Sequence, residues 1–149
     1  MFIAAFNVIG IAVRTSNQNG QSMQDIPALW ARFESEGIFN KIPHKIEHQV
    51  YGVYTDYEGD YTMPYTAIIG CKVSSLDEIP EGMVGKVIGG GEYQTFTAKG
   101  SIQQGAVFHE WVKIWNANID RAYTSDFEVY GAKAADMENA EVDIMIAVK

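Results

Sequence analysis

Tyr51-Gly52-Val53-Tyr54 and Phe127-Glu128-Val129-Tyr130 share one pattern, aromatic, variable, Val, Tyr, and they lie in opposite halves of the chain. Two further echoes flank them in the same order. Ile26-Pro27-Ala28-Leu29-Trp30 matches Val107-Phe108-His109-Glu110-Trp111, with Trp at the same offset from a β-branched residue. Ile68-Ile69-Gly70-Cys71-Lys72-Val73 is echoed by Ile144-Met145-Ile146-Ala147-Val148. Each match is short, but three in one order point to an internal duplication.

The segments around these echoes repeat one element order. Asn7 to Ser16 is rich in β-branched residues and ends on the turn residues Asn17–Gly20, which predicts a strand. A helix should follow, capped by Asp25, with Pro27 in its first turn and Ile26, Leu29, Trp30 and Phe33 on one face. Gly37 is a natural stop. Val50 to Tyr57 and Tyr65 to Val73 then read as a hairpin around Glu58-Gly59-Asp60. Ser74 to Gly82, polar and containing Pro80, is the linker candidate. Beyond it, Val84 to Thr97 reads as strand with a bend at Gly89–Gly91. Val107, Phe108, Trp111, Ile114 and Trp115 form a helical stripe. Thr124 to Tyr130 and Glu141 to Val148 supply two last strands around the polar turn Lys133–Asn139.

The expected architecture is therefore α+β, with strand–helix–strand–strand occurring twice in an antiparallel sheet that carries two helices. Residues 1–149 would form a single domain, with one module over about 1–76 and a second over about 83–149. One helix covers only part of one sheet face, so neither module closes a core alone. Pairing them about a pseudo-two-fold axis solves this and leaves a cleft between them, a common place for a ligand.

A net charge of -8 argues against a nucleic-acid surface, which needs clustered Lys and Arg. It favours the approach of cations instead. Cys71 stands alone in an apolar run, so it reads as a buried thiol in a reducing compartment. Met1–Ile11 is apolar but has no basic flank and is too short to span a bilayer, so it reads as a first strand and the expected location is the cytoplasm.

Three short motifs invite chemistry and fail on context. His44-Lys-Ile-Glu-His48 matches a bare zinc-peptidase pattern, yet Pro43 precedes it and a strand begins two residues after it, leaving no room for the required helix. Gly82-Met-Val-Gly-Lys86 lacks the Ser or Thr of a phosphate loop, and Gly89–Gly91 lacks the rest of a dinucleotide fingerprint. No metal or cofactor is implied.

The alternation in Asp126-Phe127-Glu128-Val129-Tyr130 puts Glu128 and Phe127 on opposite faces of their strand. If only the Phe127 face is covered, Glu128 meets solvent; if both are, it lines a cavity. Most of Trp30, Phe33, Phe108, Trp111 and Trp115 fall on helical stripes and read as core. Tyr51, Tyr54, Tyr57, Tyr61 and Tyr65 crowd one hairpin, combining rings that can hold a cation with hydroxyls that need partners.

These residues resemble the effector-binding domain of AraC-type and multidrug-responsive bacterial regulators and of gyrase-inhibitor-like proteins, above all the integron-associated single-domain proteins. The resemblance is carried by Leu29-Trp30-Ala-Arg-Phe33, Tyr51 to Tyr57, Tyr65 to Gly70, Trp111 with Ile114 and Trp115, and Asp126 to Tyr130, across essentially the whole chain. It implies lipophilic cations held between the modules by stacked aromatics and a buried glutamate. By motif position that glutamate would be Glu128, with Trp111, Tyr65, Tyr54 and Phe96 as pocket-wall candidates. It implies a sensing or sequestering role, or one accessory to a separate transcriptional regulator, since no length remains for a DNA-binding helix-turn-helix. The alternative is a gyrase-inhibitor-like hydrolase of small reactive cyclopropane-type compounds, with Glu128 as general base. The natural ligand and oligomeric state stay open.

Overall fold

A computed structural model describes residues 1–149. Eight antiparallel strands form one sheet: β1 (Phe2–Ile3), β2 (Phe6–Thr15), β3 (Val50–Thr55), β4 (Tyr65–Val73), β5 (Val84–Ile88), β6 (Gly91–Gly100), β7 (Ser125–Tyr130) and β8 (Ala140–Ala147). Their spatial order is β1-β6-β8-β7-β3-β4-β2-β5. That order is palindromic: exchanging β2 with β6, β3 with β7, β4 with β8 and β1 with β5 returns the same sheet. The expected twofold strand–helix–strand–strand plan is present, with helices α1 (Ser22–Ser35) and α3 (Ala106–Asn116) and a one-turn α2 (Ile38–Lys41).

The axis of that palindrome lies between β3 and β7. Gly52 pairs with Glu128 and Val53 with Phe127, so the two echoing tetrapeptides hydrogen-bond to each other directly. The echo alignment also equates Gly52 with Glu128 and Tyr54 with Tyr130. Residue 52 and residue 128 are thus both pseudo-symmetry mates and register partners.

The sheet curls. Phe6 on β2 and Phe127 on β7 stand three strands apart, about 14 Å in a flat sheet, yet their rings meet at 5.2 Å. The cluster they anchor, with Val8, Tyr51, Val53, Ile68, Ile88 and Tyr93, fills the face turned away from the helices. On the other face α1 and α2 pack over β2 and β4 through Leu29, Phe33, Ile38 and Ile69. Symmetrically, α3 packs over β6 and β8 through Trp111, Ile114, Val142 and Ile144. Each fully buried aliphatic side chain here contributes about 1.5–3 kcal/mol of transfer free energy.

Three local expectations are corrected. The first helix begins at Ser22, so Asp25 is not its cap. A 3-10 turn at Gln18–Gly20 runs straight into the helix. Asp25 sits in the first turn, where the helix dipole favours a carboxylate, and accepts hydrogen bonds from the Thr15 hydroxyl and the Gln21 amide. Pro27 consequently lies inside the helix. The bend at Gly89–Gly91 proves to be a crossing between sheet edges, because β5 pairs with β2 while β6 pairs with β8. In return β1 pairs with β6, so each half lends a short strand to the other. At that crossing a Cβ on Gly90 would lie 3.0 Å from the Ala5 amide nitrogen and 3.2 Å from the Ile3 carbonyl oxygen, so a side chain there would have to push backbone aside.

Other sequence features fall as the residues suggest. His44 to His48 is non-helical and makes a bridge from Lys45 to Val73. Cys71 is buried, and burial pushes its thiol up to about 11, Lys45 nearby lowering it only in part. No helix is long and apolar enough to cross a membrane.

Candidate functional site

Between α1 and α3, over the β3–β7 axis, lies a cavity of about 410 Å³. Glu128 forms part of its floor and is 1% exposed. The strand places it there by alternation: Phe127 points into the cluster on the far face, so Glu128 points toward the helices. Both faces of the sheet centre are covered, and that settles the fork left by the sequence.

Three donors hold the carboxylate. Tyr54 and Tyr130 donate their hydroxyls to Oε1 at 3.1 and 2.8 Å, and the Trp111 indole N–H donates to Oε2 at 2.6 Å. Tyr54 and Tyr130 are pseudo-symmetry mates, so the duplication delivers one phenol from each side of the axis to one oxygen. Space for that oxygen comes from Gly52: a Cβ there would stand 2.9 Å from Oε1. Burial raises the Glu128 carboxyl above its ordinary value, and the hydrogen bonds from Trp111, Tyr130 and Tyr54 counter this only in part. Burial, followed by the Glu128 charge, pushes the Tyr54 and Tyr130 hydroxyls well up, so both remain protonated donors.

The aromatic walls repeat the symmetry. Trp111 meets Tyr54 edge to face at 5.4 Å, and Trp30, its echo on α1, meets Tyr130 edge to face at 4.8 Å. Tyr65, at one side, hydrogen-bonds Asn17 through its hydroxyl and touches Tyr54 and Tyr57. Tyr61, from the β3–β4 turn, stacks on Trp115 at 5.8 Å and 8°. Phe108 stands at the cavity wall 40% exposed rather than in the core.

Beside Glu128 lies a second buried charge system. Asp126 faces the same way two residues earlier, and its Oδ2 accepts Arg121 Nη2 at 2.8 Å and the Tyr57 hydroxyl at 2.6 Å. Its Oδ1 accepts the Ala147 amide. Asp126 and Arg121 thus neutralise each other, whereas no Lys, Arg or His forms an ion pair with Glu128.

Of the five residues singled out by sequence, the structure brings Glu128, Trp111, Tyr65 and Tyr54 together around the cavity. Phe96 does not join them. It packs in the cluster beneath α3, its β6 position pairing with Ile144, and lies outside the cavity wall. Sequence reasoning missed Trp30, Tyr130 and Arg121 as wall residues, and read Phe108 and Trp115 as core. The first two had a usable signal, being the echoes of Trp111 and Tyr54; Arg121 sits in an irregular loop with no pattern to mark it.

The family model for integron-associated effector binding proteins matches residues 3–148. The chain is 28% identical over 145 residues to YobU of Bacillus subtilis (strain 168), named as a candidate transcriptional regulator protein, covering 94% of this chain and 90% of that one. An integron cassette protein from the mobile metagenome of Vibrio cholerae is similar in structure, with a TM-score of 0.77 and 33% identity over 100% of this chain and 94% of its own. SAV2435, solved bound to tetraphenylphosphonium, shares the fold at a TM-score of 0.69 and 18% identity, over 100% and 92% of the two chains. A family match spanning nearly every residue, and a curled sheet shared with the cassette protein, lead to one conclusion: the chain belongs to the integron-associated effector-binding proteins.

Proposed function

We propose that this protein binds lipophilic cationic or aromatic small molecules in the cavity over Glu128, acting as a sensor, a sequestering protein or an accessory to a separate transcriptional regulator. One observation carries the reading: Glu128 is a fully buried carboxylate with three hydrogen-bond donors and no cationic partner. Burying an ionised carboxylate costs several kcal/mol, and hydrogen bonds from neutral groups offset this only in part. A guest cation supplies the missing charge. The surrounding indoles and phenols add about 0.5–2 kcal/mol per well-placed cation–π contact. A delocalised cation with an apolar body loses less hydration on entry than a small one, so it is the favoured guest. Tetraphenylphosphonium, the ligand of SAV2435, is of this kind and supports the choice through the shared fold.

The hydrolase alternative draws less from the geometry. A general base needs a free lone pair facing water, and three of about four acceptor positions on Glu128 are already taken.

The test is a titration with tetraphenylphosphonium followed by tryptophan fluorescence, in wild type and Glu128→Gln. Removing the charge should weaken binding at least tenfold, about 1.4 kcal/mol or more. Equal affinity in the two proteins would remove Glu128 from the binding site.

A further inference from the structure

Once Glu128 is accounted for, one buried charged side chain at the cavity wall keeps polar atoms without a partner. Arg121 lines the cavity and is 6% exposed. Its Nη2 donates to Asp126, and its guanidinium carbon lies 4.4 Å from the centre of the Tyr123 ring and 6.0 Å from that of Trp111. Nε and Nη1 are both buried and find no acceptor anywhere in the chain. Asp126 already accepts from the Ala147 amide, the Tyr57 hydroxyl and Nη2, and gives no bond to Nε or Nη1. Buried N–H groups of a charged side chain are nearly always satisfied, so a pair left open beside a ligand cavity calls for an acceptor from outside the chain.

We infer that Arg121 Nε and Nη1 form a second recognition point of this cavity, taking a neutral carbonyl, amide or ester oxygen carried by the cationic guest. This rests on reading Glu128 as the cation site. Both groups are covered by their neighbours, so engaging them asks for a small tilt of the guanidinium toward the cavity.

Charge decides between a neutral and an anionic acceptor. Arg121 is already matched by Asp126 at 2.8 Å, which leaves Glu128 as the one uncompensated charge. A monocation completes the balance. A carboxylate added to the guest would restore an unpaired negative charge and place it beside Asp126.

The strand spacing gives the scale of the guest. Asp126 and Glu128 stand two residues apart on one face of β7, about 7 Å, and Trp111 bridges the two systems, donating to Glu128 while its ring faces Arg121. A cationic centre and an acceptor separated by one para-substituted benzene ring would span that distance.

Three probes test this: tetraphenylphosphonium, its para-acetyl derivative and its para-carboxylate derivative, titrated by calorimetry. They are used on wild type, on Arg121→Lys, which keeps the charge against Asp126 but loses Nε and Nη1, and on the double variant Arg121→Met with Asp126→Asn, which removes both charges. Circular dichroism melts establish that each variant is folded. Wild type should prefer the acetyl probe to the parent by roughly fivefold to tenfold and bind the carboxylate most weakly. In both variants the acetyl preference should vanish while the parent still binds. Equal affinity for parent and acetyl probes in wild type overturns the inference, as does a preference that survives in both variants. Tightest binding of the carboxylate overturns the neutral assignment. If no phosphonium binds wild type, the cation reading itself fails and this one falls with it.

Discussion

Replacing Gly52 with Ala puts a single methyl against the carboxylate at the pseudo-symmetry axis. The residue does not adopt a positive φ, so Ala is allowed by the backbone, and in a strand it would ordinarily add about 0.5–1 kcal/mol of stability. Here the new Cβ would lie 2.9 Å from Glu128 Oε1, an atom held by Tyr54 and Tyr130 and backed by Trp111 on Oε2. Oε1 must retreat by a few tenths of an ångström, and one of its two phenol hydrogen bonds goes. A hydrogen bond to a charged group contributes about 1.5–3 kcal/mol, so the variant should be less stable by about 1–2 kcal/mol in urea denaturation. The lost donor had favoured the ionised form, so the Glu128 carboxyl, already raised by burial, moves higher still. The native state then binds more protons than the unfolded chain over a wider range, and stability falls as pH rises through that range. On the proposed reading, binding of tetraphenylphosphonium needs the carboxylate, so it should be lost as pH falls through the raised value. That midpoint should shift upward in Gly52→Ala, in the direction in which losing a donor moves the carboxyl. A variant as stable as wild type with an unmoved binding midpoint would show that Gly52 is not what makes room for the carboxylate.

Two further outcomes bear on residues at the margin of the site. Phe96→Leu should change affinity for tetraphenylphosphonium by less than about twofold, since Phe96 packs beneath α3, while costing about 1 kcal/mol in urea denaturation through lost packing; a tenfold loss of affinity would put it back among the ligand contacts. Cys71 should react with a disulfide reagent at pH 8 only on the timescale of unfolding, because burial both covers its thiol and holds it up to about 11. Rapid labelling of the native protein would contradict its place in the core.

How far the sequence could be read depended on whether a feature was local. β-strand alternation separated Glu128 from Phe127 correctly, since it needs only neighbouring residues. Whether the Glu128 face was covered depended on α1 and α3 meeting over β3 and β7, which no window of sequence contains. Helical stripes carry the same ambiguity. They found Leu29, Phe33 and Ile114 in the core, but Trp30, Phe108 and Trp115, read from the same periodicity, line the cavity between the helices. A stripe says that a face is apolar and says nothing about whether a side chain or a ligand fills it. β1 and β5 pair across the two halves, β1 over only two residues, and no local pattern shows which strand each will meet. Arg121 was illegible for a related reason: its partner Asp126 is five residues away, but the contact depends on an irregular loop turning back.

Duplication also explains why there is one carboxylate and not two. Residues 52 and 128 are mates under the pseudo-two-fold and direct partners in the sheet. A glutamate at both positions would force two buried carboxylates together at the axis, where only one could ionise. Steric space gives the same answer, since even a methyl at residue 52 meets Oε1. The neighbouring positions are under no such conflict, so Tyr54 and Tyr130 both survive as tyrosines and both turn to the single glutamate. Trp30 and Trp111 survive likewise, but only Trp111 has a carboxylate oxygen to bond. An aromatic frame of approximate two-fold symmetry thus encloses a charge that must lie on one side. Trp30 with Tyr130 and Trp111 with Tyr54 therefore face the cavity as mates, whereas the charge does not. On the proposed reading, the aromatic walls favour an apolar body and the off-axis carboxylate fixes where the guest's positive charge must lie.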